Sequence, residues 1–237
     1  MDAQRVALLR EVLAGTRWPS EARGFAGALR SRVVPQGGGL LLVGTRAYEP
    51  WHLAAHLVDE AAWSGRPELT PTLVRHRVPA DAPAHLTVGL GRLAAAGRGE
   101  TLLVVAPGPA DQGLLERVHG ARRAGATVFS LDGGDPEMHA LAHEALTVVG
   151  AAAPPGEAAG PEAAGPDAPG HGATREPGRV PGPRTTPELD VDFDTVQHLV
   201  SAAAGEAELP AVRGRYRFRD RLALLADRLT APPPARW

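Results

Sequence analysis

Two histidines spaced four residues apart are the clearest candidates for chemistry in this 237-residue sequence. His52 and His56 lie in a segment with helical periodicity, so their imidazoles share one face of a helix. Imidazoles at this spacing suit two ligands of one zinc ion. Asp194 and His198 repeat the four-residue spacing further along the chain, so a metal site of His52, His56, Asp194 and His198 is geometrically conceivable. The alternative is that these histidines cap a helix or line a groove, and that the protein uses no cofactor.

The residue types that are absent exclude several kinds of catalysis. The chain contains no cysteine, lysine, asparagine or isoleucine. A lysine Schiff base, a P-loop lysine and a cysteine nucleophile are therefore impossible. The chain has five serines, and none of them stands in the Gly-x-Ser-x-Gly turn of serine hydrolases, so Ser-His-Asp chemistry has little support.

Charge and hydropathy bound the partners and the compartment. The formal net charge is −2, which gives no overall attraction to nucleic acid or to an anionic membrane. No apolar run approaches the ~20 residues that span a bilayer. Charged residues at helical spacing interrupt residues 1–13, which excludes a signal-peptide core, so we expect a cytoplasmic protein without a membrane partner. Residues 213–219 alternate arginine with glycine and aromatic residues, but we interpret them as a basic face at a domain or subunit contact, and nucleic acid is not the expected partner.

Short apolar runs alternate with helical patterns between residues 40 and 149. Runs without in-and-out alternation are typical of strands covered on both faces. Alternating strands and helices predict an α/β fold, a doubly wound five-stranded parallel sheet, preceded by two N-terminal helices at 2–13 and 21–33. The predicted strands are 40–43, 72–74, 101–106, 127–131 and 146–149, and the predicted helices between them are 52–63, 84–96, 112–124 and 136–145.

The sequence divides into three regions. Residues 1–150 form the α/β domain. Residues 151–188 contain 16 prolines and glycines in 38 positions and cannot bury enough apolar surface to offset the entropy of ordering, so we expect a disordered linker. Residues 189–237 form a helical tail with patterns at 191–204 and 215–229, and the apolar stripe of the second pattern predicts that it docks on the domain or on a partner subunit.

The ordered series of elements and loops resembles the SIS (sugar isomerase) domains of phosphoheptose-isomerase type, over about residues 20–150. Residues 44–48 (Gly-Thr-Arg-Ala-Tyr) and 52–57 (His-Leu-Ala-Ala-His-Leu) are similar to the family's Gly-Asn-Gly-Gly-Ser loop and His-x-Ala-Ala-Glu-Leu helix. Residues 121–133 (Ala-Arg-Arg-Ala-Gly-Ala-Thr-Val-Phe-Ser-Leu-Asp-Gly) are similar to the family's Ala-Lys-x-x-Gly-x-x-Val-Ile-x-Leu-Thr-Gly unit. The chain is thus identified as a degenerate member of the SIS family.

The resemblance implies a ligand site in two loops, after the first and third strands. Such loops hold a sugar phosphate through hydroxyls and backbone N–H groups at helix N-termini. Here Pro50, Pro107 and Pro109 remove N–H donors, and residues 106–113 carry no hydroxyl. Arg46 is either a bidentate phosphate anchor or a solvated loop arginine. The ligand-binding residues implied are Gly44, Thr45, Arg46, Tyr48, Gly108, Asp111 and Gln112.

Three functions remain open from the sequence. The first is a non-catalytic or regulatory module, with no cofactor, that binds a carbohydrate derivative such as a small phosphorylated sugar. The second is a metal-assisted aldose–ketose isomerase of phosphosugars, with zinc as cofactor and His198 as general base. The isomerases resembled hold their metal with a His and a Glu four residues apart on one helix, and with a Gln and a His from the C-terminal helix. The third is a structural homo-oligomer.

SIS domains pair through N-terminal helices, so we also expect a homodimer. Its interface would be formed by the apolar residues of the first two helices: Val6, Leu9, Val12, Leu13, Phe25 and Leu29.

Overall fold

Five parallel strands form the centre of the protein, in a computed structural model that describes residues 3–33, 38–148 and 191–206. Their order across the sheet is β2-β1-β3-β4-β5. This confirms the predicted α/β class with an all-parallel five-stranded sheet. The strands are β1 (Gly39–Gly44), β2 (Pro71–Val74), β3 (Glu100–Ala106), β4 (Thr127–Asp132) and β5 (Glu144–Thr147).

Helices cover both faces of the sheet. The helices are α1 (Ala3–Val12), α2 (Trp18–Arg32), α3 (Trp51–Ser64), α4 (Gly91–Ala94), α5 (Gln112–Arg123), α6 (Pro136–Leu141) and α7 (Phe193–Gly205). The helix predicted over 84–96 is wrong in extent, because only one 3-10 turn and the short α4 form there. The backbone of Val88 instead accepts a hydrogen bond from the N–H of Arg75, which extends the β2 edge. The helix predicted over 136–145 ends early, because Glu144 already begins β5.

Two apolar cores lie on the two faces of the sheet. Successive residues of each strand point to opposite faces, so β1 sends Leu40 and Leu42 into one core and Leu41 and Val43 into the other. The first core contains residues of α2, α3 and α7, and the second contains residues of α4, α5 and α6. This double burial explains why the strands appear in the sequence as uninterrupted apolar runs.

Helix α7 packs against α2 and α3, although about 45 residues separate it from β5 in the sequence. Val196, Leu199 and Val200 are buried in the first core. Asp192 caps the helix by accepting from the N–H of Thr195 at 2.6 Å. At the other end Arg30 donates to the carbonyl of Ala203 at 2.7 Å, which satisfies an otherwise unpaired C-terminal carbonyl. The buried apolar side chains and the hydrogen bonds at both ends of α7 therefore fix its position along α2 and α3.

Most of the apolar residues predicted to form a dimer interface are buried within the protomer. Val6, Leu13, Phe25 and Leu29 are buried, whereas Val12 is 62% exposed. The homodimer stays a prediction, and fewer exposed apolar residues are available to form its interface than the sequence suggested.

No helix among the described residues has both the length and the hydropathy to cross a membrane. The predicted linker 151–188 and the predicted helix 215–229 lie outside the described residues.

The turn after β1 predicts the effect of a small substitution. A Cβ atom at Gly44 would lie 1.8 Å from the carbonyl oxygen of Tyr48, so Gly44→Ala must displace the backbone of that turn. We expect it to lower the free energy of unfolding by about 2 kcal/mol or more, measured by urea unfolding. The matched control is Gly24→Ala on an open face of α2, where nothing lies within 4 Å and the change should stabilise by roughly 0.5–1 kcal/mol. A Gly44→Ala variant as stable as the parent would contradict the described turn.

Candidate metal centre

Helix α3 places two imidazoles at the carboxyl edge of the sheet. Six residues separate the end of β1 from the start of α3 at Trp51, and His52 lies in the first turn of the helix. Leu53 and Leu57 are fully buried in the first core and fix the rotation of the helix. His52 is therefore exposed at the edge, and His56, one turn later, is half-buried.

The third imidazole comes from α7. His198 is only 6% exposed and faces α3 across the contact between the two helices. Its Nε2 lies 3.1 Å from Nε2 of His52, and Nε2 of His56 lies 3.0 Å from the same His52 atom. One possible ligand atom from each of the three histidines lies within 4.8 Å of the others. The three imidazoles therefore converge through their Nε2 atoms, and we call this group the histidine cluster.

Two of the three separations in the histidine cluster fit a tetrahedral metal ion. Zinc–nitrogen bonds of about 2.0–2.1 Å place two ligand nitrogens of a tetrahedron roughly 3.3 Å apart. The separations of 3.0 and 3.1 Å are close to this edge length. Three imidazoles with a fourth position left open are a ligand set found in catalytic and ligand-binding zinc sites.

Burial and the neighbouring imidazoles keep His56 uncharged near neutral pH. Burial, followed by the neighbouring His198 and His52, lowers the pKa of His56 to about 4. Near neutral pH the His56 imidazole therefore carries no charge and retains a lone pair for a metal ion. Its Nδ1 is buried and has no hydrogen-bond partner among the described residues. Because a partner on the second nitrogen normally raises the basicity of a metal-binding histidine, we expect a weaker centre than one whose imidazoles are all supported.

Asp194, the fourth predicted ligand, is not part of the cluster. Its carboxylate accepts from the side-chain amide of Gln197 at 3.1 Å. The same amide donates to the Tyr48 hydroxyl at 2.9 Å. Burial raises the pKa of Tyr48, the hydrogen bond from Gln197 opposes this, and the charge of Asp194 adds to it. Asp194 thus belongs to a hydrogen-bonded chain that joins α7 to the turn after β1.

The other predicted residues of the first loop have structural partners or face solvent. The carbonyl of Gly44 accepts from Nε2 of His76 at 2.9 Å. Thr45 is buried, and its carbonyl accepts from the N–H of Tyr48. Arg46 is exposed. Next to this turn, Glu49 pairs with Arg75 at 3.1 Å, and the Arg75 guanidinium lies 4.8 Å from the ring centre of Trp51.

The predicted residues of the second loop surround the start of α5. Asp111 is the N-cap of α5, and its carboxylate accepts from the N–H of Leu114 at 3.1 Å. Gly108 is half-buried and Gln112 is exposed. Asp135, which follows β4, accepts from the N–H of Ala110 at 2.8 Å. The backbone donors of Ala110 and Leu114 are therefore already bound by carboxylates.

Sequence reasoning did not single out Gln197 or Asp135. Asp135 directly precedes Pro136, which is a recognisable helix start, and it does cap α6. No local pattern marks Gln197, because its contact with Tyr48 joins positions 149 residues apart.

Comparison with known proteins gives structural likeness only. No protein-family model and no curated protein matches the chain. Among solved structures, the chain is similar to the Vibrio vulnificus NanR protein complexed with ManNAc-6P, at 12% identity and a TM-score of 0.43, covering 96% of this chain and 70% of that one. It is similar to the sugar isomerase domain of an RpiR transcription factor from Sphaerobacter thermophilus, at 11% identity and a TM-score of 0.43, covering 96% and 98%. A putative sugar binding protein from Salmonella typhimurium LT2 shares 16% identity at a TM-score of 0.43, over 94% of this chain and 52% of that one.

The lowered pKa of His56 predicts how stability depends on pH in the metal-free protein. The ordinary histidine pKa is about 6.5, so between pH 6.5 and pH 4 the unfolded chain binds a proton that the folded chain does not. The free energy of unfolding should therefore fall as pH drops through this window. Urea unfolding at pH 7.5 and pH 5 should show a larger loss for the parent than for His56→Gln. His119→Gln, on an exposed position of α5, should behave like the parent. An identical loss in the parent and His56→Gln would refute the lowered pKa.

Proposed function

We propose that this chain is a non-catalytic module that binds a divalent transition metal, preferentially zinc, on His52, His56 and His198, and binds a carbohydrate derivative at that metal. The convergence of three imidazoles on one point is the observation that carries the proposal. Imidazole ligands suit zinc, copper and nickel, whereas magnesium and calcium require oxygen ligands. A zinc ion held by three imidazoles keeps a fourth position that can accept a hydroxyl or carbonyl oxygen as a Lewis acid.

The topology of the sheet supports a ligand site beside this metal. Helix α3 leaves β1 towards one face of the sheet, and α5 leaves the neighbouring β3 towards the other. The carboxyl ends of β1 and β3 therefore border a crevice, which is where open α/β sheets bind ligands. His52 lies in the first turn of α3, on one side of this crevice. A carbohydrate derivative is the ligand class implied by the sequence resemblance of residues 44–57 and 121–133.

The partners of the surrounding groups favour binding without catalysis. Isomerisation requires a base that can take a proton from the ligand. His198, the base of the isomerase alternative, contributes its Nε2 to the cluster, and a nitrogen bound to a metal cannot accept a proton. Glu49 is paired with Arg75 and Asp194 with Gln197. The Tyr48 phenol is hydrogen-bonded and has a raised pKa, which makes it a poor base near neutral pH.

Zinc binding tests the proposal. Titration of the full chain against a chromophoric chelator should give one zinc ion per chain. His52→Ala and His198→Gln should each weaken zinc affinity by at least about 100-fold, because each removes one ligand. Glutamine is chosen for the buried His198 to avoid a cavity, and circular dichroism melting checks that both variants fold. His119→Ala, on the exposed face of α5, is the control and should leave affinity unchanged. Equal zinc affinity in His52→Ala and the parent would reject the metal site.

Assays of isomerase activity separate the proposal from its main competitor. We expect no measurable turnover of pentose, hexose or heptose phosphates, with zinc or without it, because Glu49, Asp194 and Tyr48 each already have a partner in the described structure. Aldose–ketose conversion followed by proton NMR is a direct measurement. Turnover that disappears in His52→Ala and persists in His119→Ala would establish the metal-assisted isomerase instead.

A further inference from the structure

Glu60 of α3 and Gly205 of α7 meet where the two helices pack against each other, beyond the histidine cluster. Glu60 follows His56 by about one helical turn, and Gly205 follows His198 by about two. The residue Glu60 is only 2% exposed, although it carries a carboxylate. The contact between Glu60 and Gly205 therefore belongs to the same helix pair that supplies the proposed metal ligands.

The Glu60 side chain fills the space beside Gly205. A Cβ atom at Gly205 would lie 1.8 Å from Oε2 of Glu60 and 2.8 Å from its Cδ, well inside an ordinary contact of ~3.5 Å. It would also lie 3.1 Å from the Cβ of Glu60, an atom that side-chain rotation cannot move away. The backbone of Gly205 is helical, so any residue could adopt it. What this position requires is therefore the absence of a side chain.

The histidine cluster tolerates little movement between the two helices. His52 and His56 are both on α3, so α7 does not affect their separation. His198 reaches them only through the packing of α7, with its Nε2 3.1 Å from that of His52. Metal–ligand distances in a well-formed site hold to within about 0.2 Å. A shift of α7 that admits a Cβ atom at Gly205 would exceed this tolerance, because one continuous helix carries both Gly205 and His198.

We propose that Gly205 and Glu60 are positioning residues for the metal centre. The glycine admits the buried side chain of Glu60, and the pair sets the separation of α3 and α7 at which His198 meets His52. The distance between packed helices depends on the side chains at their contact. The consequence for zinc binding rests on the proposed function. The consequence for the meeting of the imidazoles rests only on this contact, so the two can fail separately.

Gly205→Ala, made in the full chain, adds one methyl group at this contact. In the metal-free parent, proton NMR should show nuclear Overhauser effects from the ring of His52 to those of His198 and His56, whose centres lie 4.6 and 4.4 Å away. We expect Gly205→Ala to weaken the effect with His198 and to retain the effect with His56, which α3 alone fixes. Zinc affinity, measured by competition with a chromophoric chelator, should fall at least about tenfold.

A second substitution separates this role from a general loss of stability. Gly205→Ala/Glu60→Ala removes the opposing carboxylate and should recover the effect between His52 and His198 and part of the zinc affinity. A substitution that only weakened the fold would not be repaired by a second one that leaves a cavity. Gly120→Ala adds the same methyl group on α5, where nothing lies within 4 Å, and should match the parent in both measurements.

Three outcomes would overturn the inference: an undiminished effect between His52 and His198 in Gly205→Ala, a double variant that recovers nothing, or an equal loss in Gly120→Ala. If Gly205→Ala does not fold, the double variant carries the test, because it should fold and show that effect. A parent that binds no zinc would count against the proposed function alone, because the NMR comparison uses the metal-free chain.

Discussion

Helix α7 is buried along α2 and α3, and this packing brings the imidazole of His198 to those of His52 and His56. The two histidines of α3 are fixed by one short helix, but the third arrives from a segment 142 positions after His56 in the sequence. Apolar contacts of Val196, Leu199 and Val200 hold α7 in the first core, while Asp192 and Arg30 satisfy its two ends. The proposed metal centre is thus a consequence of how the C-terminal helix docks.

The two sides of the crevice differ in the charges they carry. On the α3 side, burial and the neighbouring imidazoles keep His56 neutral, so His56 can bind a cation without first losing a proton at neutral pH. On the α5 side, the carboxylates of Asp135 and Asp111 accept from the backbone N–H groups of Ala110 and Leu114.

Sequence patterns predicted the features that depend on residues close to one another in the chain. Uninterrupted apolar runs predicted the buried parallel strands, and the four-residue spacing of His52 and His56 predicted their shared face. The interruption of the predicted helix 84–96 at residues 87–90 was missed. There the backbone carbonyl of Val88 accepts a hydrogen bond from the N–H of Arg75, a contact between distant positions that helical periodicity does not record. Asp194 was placed with the metal ligands because it shares a face with His198, yet a nearer partner, Gln197, holds its carboxylate. Spacing shows which residues can meet, but the competition between partners is decided only by packing.

X-ray absorption at the zinc edge, on the full chain loaded with one equivalent of zinc, tests the central claim most directly, because it counts the imidazoles bound to the metal. The account predicts a first shell at about 2.0–2.1 Å that contains three imidazole nitrogens, with the multiple-scattering pattern of the rings, and one further light atom. The His198→Gln chain should show one imidazole fewer. A shell of oxygen atoms alone, or an imidazole count that His198→Gln leaves unchanged, would contradict a metal centre shared by α3 and α7.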